Sequence, residues 1–298
     1  MQEFYFANYR LLIDDRLAEG AERLFGGNFT EPMPYTDTFT LRLGADDEFD
    51  GVYGNVKREP VVYENRNYCI RRAYGGWVFE VFEKPTYGLT LLICSDDYSE
   101  MTAFTRSRPF YNWIENKEDV QRFPFYFGFK TACETAMTLR KGIAVHASLI
   151  EKNGLGILFT GPSGMGKSTQ AILWQKVLDA DFIIGDRPVL RLIDGAWFGT
   201  GMPWDGKDRI LRQKSVRLAA IISLEQGDEN EITCMNRKDA MKVLLMQAAL
   251  PMWDGKATDA VIGLLGDLSG KIPFYHLKNR ADRECAEMTY KAIFGGEK

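Results

Sequence analysis

Residues 161–169, Gly-Pro-Ser-Gly-Met-Gly-Lys-Ser-Thr, have types and spacing suited to holding phosphate. In the pattern Gly161-x-x-x-x-Gly166-Lys167-Ser168 the glycines clear away side chains, so that backbone N–H groups can converge on phosphate oxygens. Pro162, Ser163, Gly164, Met165 and Thr169 complete the expected cradle. Lys167 would reach the outer phosphates and the Ser168 hydroxyl could hold Mg²⁺. An ordinary glycine turn would need no such flanks. Here Ile157, Leu158 and Phe159 form an apolar run before the loop, and Ala171, Ile172, Trp174, Val177 and Leu178 recur at helical spacing after it. The pattern predicts nucleotide binding.

Phosphoryl transfer also needs an acid or base near the phosphates. Asp186 follows the apolar run Phe182-Ile-Ile184, nineteen residues after Lys167, at the kind of strand end where ligands gather in open α/β sheets. A solvated aspartate in a turn before Pro188 is the competing reading. His146 lies inside the apolar stretch Ile143 to Ser148, where it could be a hydrogen-bonded core histidine or a site residue. The segment Gly199 to Lys207, with Asp205 among glycine, proline and tryptophan, suits either a lid over a nucleotide or acceptor or a structural turn.

The elements that must position these residues follow from periodicity. Residues 1–120 alternate aromatic and β-branched clusters (Tyr35–Leu43, Tyr68–Arg72, Gly76–Phe82, Leu89–Cys94) with turn signals, and predict an antiparallel β domain without a chemical motif. A helical pattern from Phe123 to Arg140 predicts a linker helix, so that 121–298 forms the second domain. Within it the sequence predicts strands at 143–150, 155–160, 182–184, 189–192, 218–224 and 272–277, with helices at 237–250 and 280–294. The fold class expected is α/β, with a β-rich domain ahead of a phosphate-loop domain.

Bulk composition narrows the function classes. The chain has 298 residues, 45% hydrophobic and 26% charged, enough for two ordinary cores. A net charge of −4 offers no basic footprint for nucleic acid. No apolar stretch is long enough for a membrane span, and the start lacks a signal-peptide layout, so a cytoplasmic location is expected. The five scattered cysteines lack a Cys-x-x-Cys pair and read as buried free thiols.

His146, the run Gly154 to Ser168, and Phe182-Ile-Ile-Gly-Asp186 together resemble, in order and spacing, the catalytic domain of HPr kinase/phosphorylase, especially its shorter, divergent relatives. The resemblance covers roughly residues 140–225, more loosely Pro273 to Leu277 and the helix after them, and leaves residues 1–120 outside. It implies a P-loop kinase fold akin to phosphoenolpyruvate carboxykinase, and use of ATP and Mg²⁺ to phosphorylate a serine of a peptide or small protein. It also implies roles: Lys167 on the transferred phosphate, Ser168 on Mg²⁺, Asp186 as the base, and His146 beside it. The family's tendency to form rings implies a homo-oligomer. Asp186-Arg187 stands where the family has two aspartates. Met202 to Lys207 replaces its Gly-Glu-x-Arg-Gly stretch, which makes Asp205 the substitute metal ligand and leaves phosphorylase activity unsupported. A nucleotide-binding module without transfer, or a kinase acting on a small-molecule hydroxyl, are the alternative readings.

Overall fold

The structure, a computed structural model, describes residues 1–25, 29–82, 89–105, 126–204 and 210–295. It is mixed α/β and forms two compact units. One contains Met1–Arg140 with Pro251–Ala257, the other Lys141–Leu250 with Thr258–Lys298. The division differs from the expected 1–120 and 121–298, because the helix at 126–138 packs on the first unit's sheet.

The first unit is built on an eight-stranded sheet. Its strands are β1 (Gln2–Phe6), β2 (Tyr9–Ile13), β3 (Asp37–Leu43), β4 (Val61–Glu64), β5 (Tyr68–Ala73), β6 (Gly76–Val81), β7 (Thr90–Cys94) and β8 (Glu100–Thr105), in the order β1-β2-β3-β8-β7-β6-β5-β4. The expectation of an antiparallel domain needs correction here. β3 runs parallel to β2, across a connection that carries helix α1 (Ala18–Phe25), and it is also parallel to β8. Helix α2 (Phe49–Val56) covers one face through Phe49, Val56, Val78, Leu91 and Phe104. Helix α3 (Tyr126–Thr138) covers the other so closely that a Cβ on Gly128 would lie 2.8 Å from the Val81 side chain. Covered on both faces, β6 is buried at every residue and reads as a continuous apolar run. Its one charge, Glu80, is matched by Lys57 at 2.8 Å and Arg71 at 3.5 Å.

The second unit is a nine-stranded mixed sheet. β9 (Gly142–Ala144), β10 (Ala147–Lys152), β11 (Leu155–Thr160), β12 (Asp181–Ile184), β13 (Val189–Ile193), β14 (Ala196–Thr200) and the long β15 (Ser215–Gln226) are ordered β12-β10-β11-β15-β14-β13-β9. β16 (Glu231–Cys234) and β17 (Phe274–Asn279) extend it beyond the second half of β15. Asn153-Gly154 and Asp194-Gly195 have positive φ at both positions, the condition for the two-residue turns that close β10–β11 and β13–β14. β11 is antiparallel to β10 but parallel to β15. Helices α4 (Lys167–Leu178) and α7 (Arg283–Phe294) cover one face through a core of Ile157, Phe159, Trp174, Phe182, Leu224 and Cys285. α5 (Arg237–Gln247) and α6 (Gly255–Lys271) complete the α-helices among the described residues.

Two further expectations change. The single strand predicted at 143–150 is two strands broken at Val145-His146, and the helix predicted at 237–250 ends at Gln247. Both changes have one cause: residues 247–249 bond to residues 144–146, through His146 N–H to Gln247 O at 2.8 Å and Ala249 N–H to Ala144 O at 2.9 Å. Four cysteines are buried and free as expected, while Cys234 is exposed.

Candidate functional site

β11 delivers the chain into the loop and α4 takes it out. Gly161, Gly164 and Gly166 have φ of 144°, 84° and 91°, a region that residues bearing a Cβ rarely enter. Gly166 caps α4 in the left-handed conformation and offers the helix no capping side chain, so the first N–H groups of α4 stay open to an anion. Pro162, Ser163 and Gly164 are exposed, and Met165 anchors the loop against the core beneath α4. Gln226, at the end of β15, donates to the Gly164 carbonyl at 3.1 Å.

Lys167 begins α4 with its side chain buried. Its ammonium donates to the carbonyls of Gly161 at 2.9 Å and Pro162 at 3.0 Å, folded along the loop it would serve. Burial lowers its pKa, and the carboxylate of Asp186 partly opposes that shift. Ser168 is half-buried one position on, and Thr169 is exposed.

His146 and Asp186 come together through main-chain pairing. β10 and β12 align Leu149 with Ile184; Ser148 donates its buried hydroxyl to Gly185 O at 2.8 Å; and Val145 N–H donates to Pro188 O at 3.1 Å. These contacts bracket the turn Gly185-Asp186-Arg187, where Arg187 adopts a φ of 53°. The Thr160 hydroxyl donates to His146 O at 3.0 Å, tying the histidine to the last residue before the loop. The result sets His146 Nε2 3.8 Å from Asp186 Oδ1. That oxygen is buried and has no hydrogen-bond partner among the described residues.

The His146 pKa is lowered, first by burial and then by the charge of Lys167, against the opposing pull of Asp186 and of a hydrogen bond to Gln247. At neutral pH the imidazole is uncharged, so its approach to Asp186 is not a standing ion pair. Lys167 thus feels the charge of Asp186, and His146 feels both, so the structure brings three of the sequence-derived candidates to one place beside the loop. Asp205 lies outside the described residues. Its neighbours Met202 and Trp204 are buried, and a Cβ on Gly201 would lie 1.9 Å from Arg212 O, so the strand end leading to Asp205 is closely packed.

The donor set fits a magnesium nucleotide. Among the described residues no cluster of three or more His, Cys, Asp or Glu could cage a metal. Magnesium held through phosphate oxygens needs only one or two protein ligands, which the Ser168 hydroxyl can supply. The open helix start, the three glycines and the unpartnered Asp186 oxygen fit a charged ligand with an acceptor beside it. Sequence reasoning missed Ser148, Thr160, Gln226 and Gln247. Each acts through a contact made by tertiary pairing, and no spacing in the chain marks them.

No family model matches the chain, and no curated protein matches it in sequence. Among solved structures, the HPr(Ser) kinase/phosphatase from Coxiella burnetii is similar with a TM-score of 0.30 at 10% identity, over 51% of this chain and 88% of that one. A likeness at that level establishes neither fold nor activity. No helix among the described residues is long and apolar enough to cross a membrane.

Proposed function

We propose that the second unit is a P-loop kinase that binds ATP·Mg²⁺ and transfers the γ-phosphoryl group to a serine hydroxyl of a peptide or small protein. The observation that carries this reading is the convergence of the loop lysine, Lys167, with the His146–Asp186 pair on one side of a glycine loop that ends in an open helix start. The loop N–H groups and Lys167 would hold the phosphates and offset charge in the transition state, and Ser168 would hold Mg²⁺, which neutralises charge on the bridging oxygens. Asp186 Oδ1, a buried carboxylate oxygen with no hydrogen-bond partner among the described residues, would accept the proton of an incoming hydroxyl.

The test is incubation of the full chain with γ-labelled ATP, Mg²⁺ and a library of serine peptides. Labelled peptide is expected with wild type and none with Lys167→Ala. Asp186→Asn should retain ATP binding while losing transfer by about 10²–10⁴-fold. Equal labelling by wild type and Lys167→Ala would refute the proposal. Transfer to metabolites but to no peptide would move the acceptor class to small-molecule hydroxyls. The absence of a second aspartate beside Asp186 favours one other reading, a nucleotide-binding module without transfer. ATP binding that survives Asp186→Asn, with no product from wild type on any acceptor, would support it.

A further inference from the structure

His146 is held by more bonds than a packing histidine needs. Its N–H donates to Gln247 O and its carbonyl accepts from Thr160, so its backbone is fixed from two elements before the side chain is considered. The imidazole then meets the same glutamine a second time, with Nδ1 3.2 Å from Gln247 Oε1. An amide oxygen only accepts, so the ring nitrogen facing it must carry the proton. A neutral imidazole has one N–H, and the other nitrogen, Nε2, is left with a lone pair 3.8 Å from Asp186 Oδ1. Two acceptors facing each other at that separation do not bond, and both can receive a proton from a hydroxyl placed beside them.

We propose that Gln247 is a positioning residue that holds His146 as the Nδ1–H tautomer, so that the imidazole presents a lone pair, not an N–H, to Asp186 and the acceptor hydroxyl. The inference rests on the reading of His146 and Asp186 as the proton-handling pair of a kinase. In transfer, the acceptor O–H bond breaks as its oxygen bonds to the γ-phosphorus. The bonding pair to the leaving oxygen departs with the nucleoside diphosphate. The released proton goes to Asp186, with Nε2 of His146 as the next acceptor. An Nε2–H tautomer would donate to Asp186 and tie up the oxygen that must receive the proton.

The chain has only two histidines, so ¹⁵N–¹H correlation of the imidazoles in the ¹⁵N-labelled full protein reads the tautomer directly. His146→Gln identifies the signal. Wild type should show His146 as Nδ1–H at neutral pH without nucleotide. Gln247→Glu keeps an acceptor oxygen and should retain that state. Gln247→Leu removes it while sparing the main-chain bond, and should switch His146 to Nε2–H donating to Asp186. A wild-type spectrum with Nε2–H overturns the proposal by itself, whether or not any variant folds. So does an unchanged Nδ1–H signal in folded Gln247→Leu. The readout needs no ATP, so failure of this inference is distinguishable from failure of the kinase reading, which the Lys167→Ala labelling decides.

Discussion

Gly166→Ala tests whether the observed loop conformation is the one a nucleotide selects. Gly166 sits at φ 91° and ψ 24°, and a Cβ built there finds its nearest neighbour, the Thr169 Cβ, at 3.8 Å. Space is therefore not the obstacle, and the cost of alanine is the left-handed backbone alone, about 1–2 kcal/mol. That cost divides between folding and binding according to how far the free loop relaxes. Residues 162–164 are exposed, so the empty loop can shed most of the strain, and the penalty then appears when nucleotide requires the loop to re-form. Titration calorimetry with ATP·Mg²⁺ should show affinity weakened about 5- to 30-fold, the equivalent of 1–2 kcal/mol. Gly154→Ala is the matched control. It has φ 76° and open space, but sits in the β10–β11 turn, where the hairpin register holds the conformation. Its cost should appear in urea unfolding as about 1–2 kcal/mol, with ATP affinity unchanged. Wild-type ATP affinity in Gly166→Ala, within twofold, together with an unchanged urea curve, would refute the assignment of this loop geometry to nucleotide binding.

Three other perturbations follow from the structure. In the first unit Tyr98 is fully buried, donates to Asp254 Oδ2 at 3.1 Å and accepts from Trp253 Nε1 at 3.0 Å, so Tyr98→Phe leaves a buried carboxylate oxygen and an indole N–H without that partner. Urea unfolding should show a loss of about 2–3 kcal/mol, and a loss under about 0.5 kcal/mol would contradict the hydrogen-bond assignment. Gly263 lies inside α6 with nothing within 4 Å of a built Cβ, so Gly263→Ala should raise stability by about 0.5–1 kcal/mol in the same assay. The lowered His146 pKa gives a pH dependence whose sign is fixed: below the ordinary value of 6.5 the unfolded chain binds a proton that the folded chain does not. Unfolding free energy should therefore fall on acidification from pH 6.5 down through the lowered folded pKa, and His146→Gln should flatten that segment of the profile.

The sequence was legible where a residue's own chemistry restricts its backbone. Glycines 161, 164 and 166 favour positive φ, and all three have it; the turn that the sequence suggests over residues 151–154 is there too, but it tightens to Asn153-Gly154, because Glu151 and Lys152 stay paired in the strand. It was illegible where a distant segment decides. The apolar run at 143–150 reads as one strand, yet it breaks at Val145-His146 because residues 247–249 take the hydrogen bonds there. Nothing local to His146 encodes that partner. Helix α6 escaped notice for the opposite reason. Its four glycines, 255, 263, 266 and 270, weaken helix propensity by about 1 kcal/mol each, while burial of Ala257, Val261, Leu265 and Leu268 at helical spacing outweighs them. The parallel placement of β3 was hidden as well, since alternation of buried residues fixes which face a strand buries but not the direction of its neighbours. These cases explain why the candidate site was half-readable. The loop is specified by the residues that compose it, and Lys167 and Ser168 come with it. His146 and Asp186 come together only because β10, β12 and the end of α5 meet, and a change at Gln247, 101 residues from the histidine it contacts, should alter that pair while the loop stays intact.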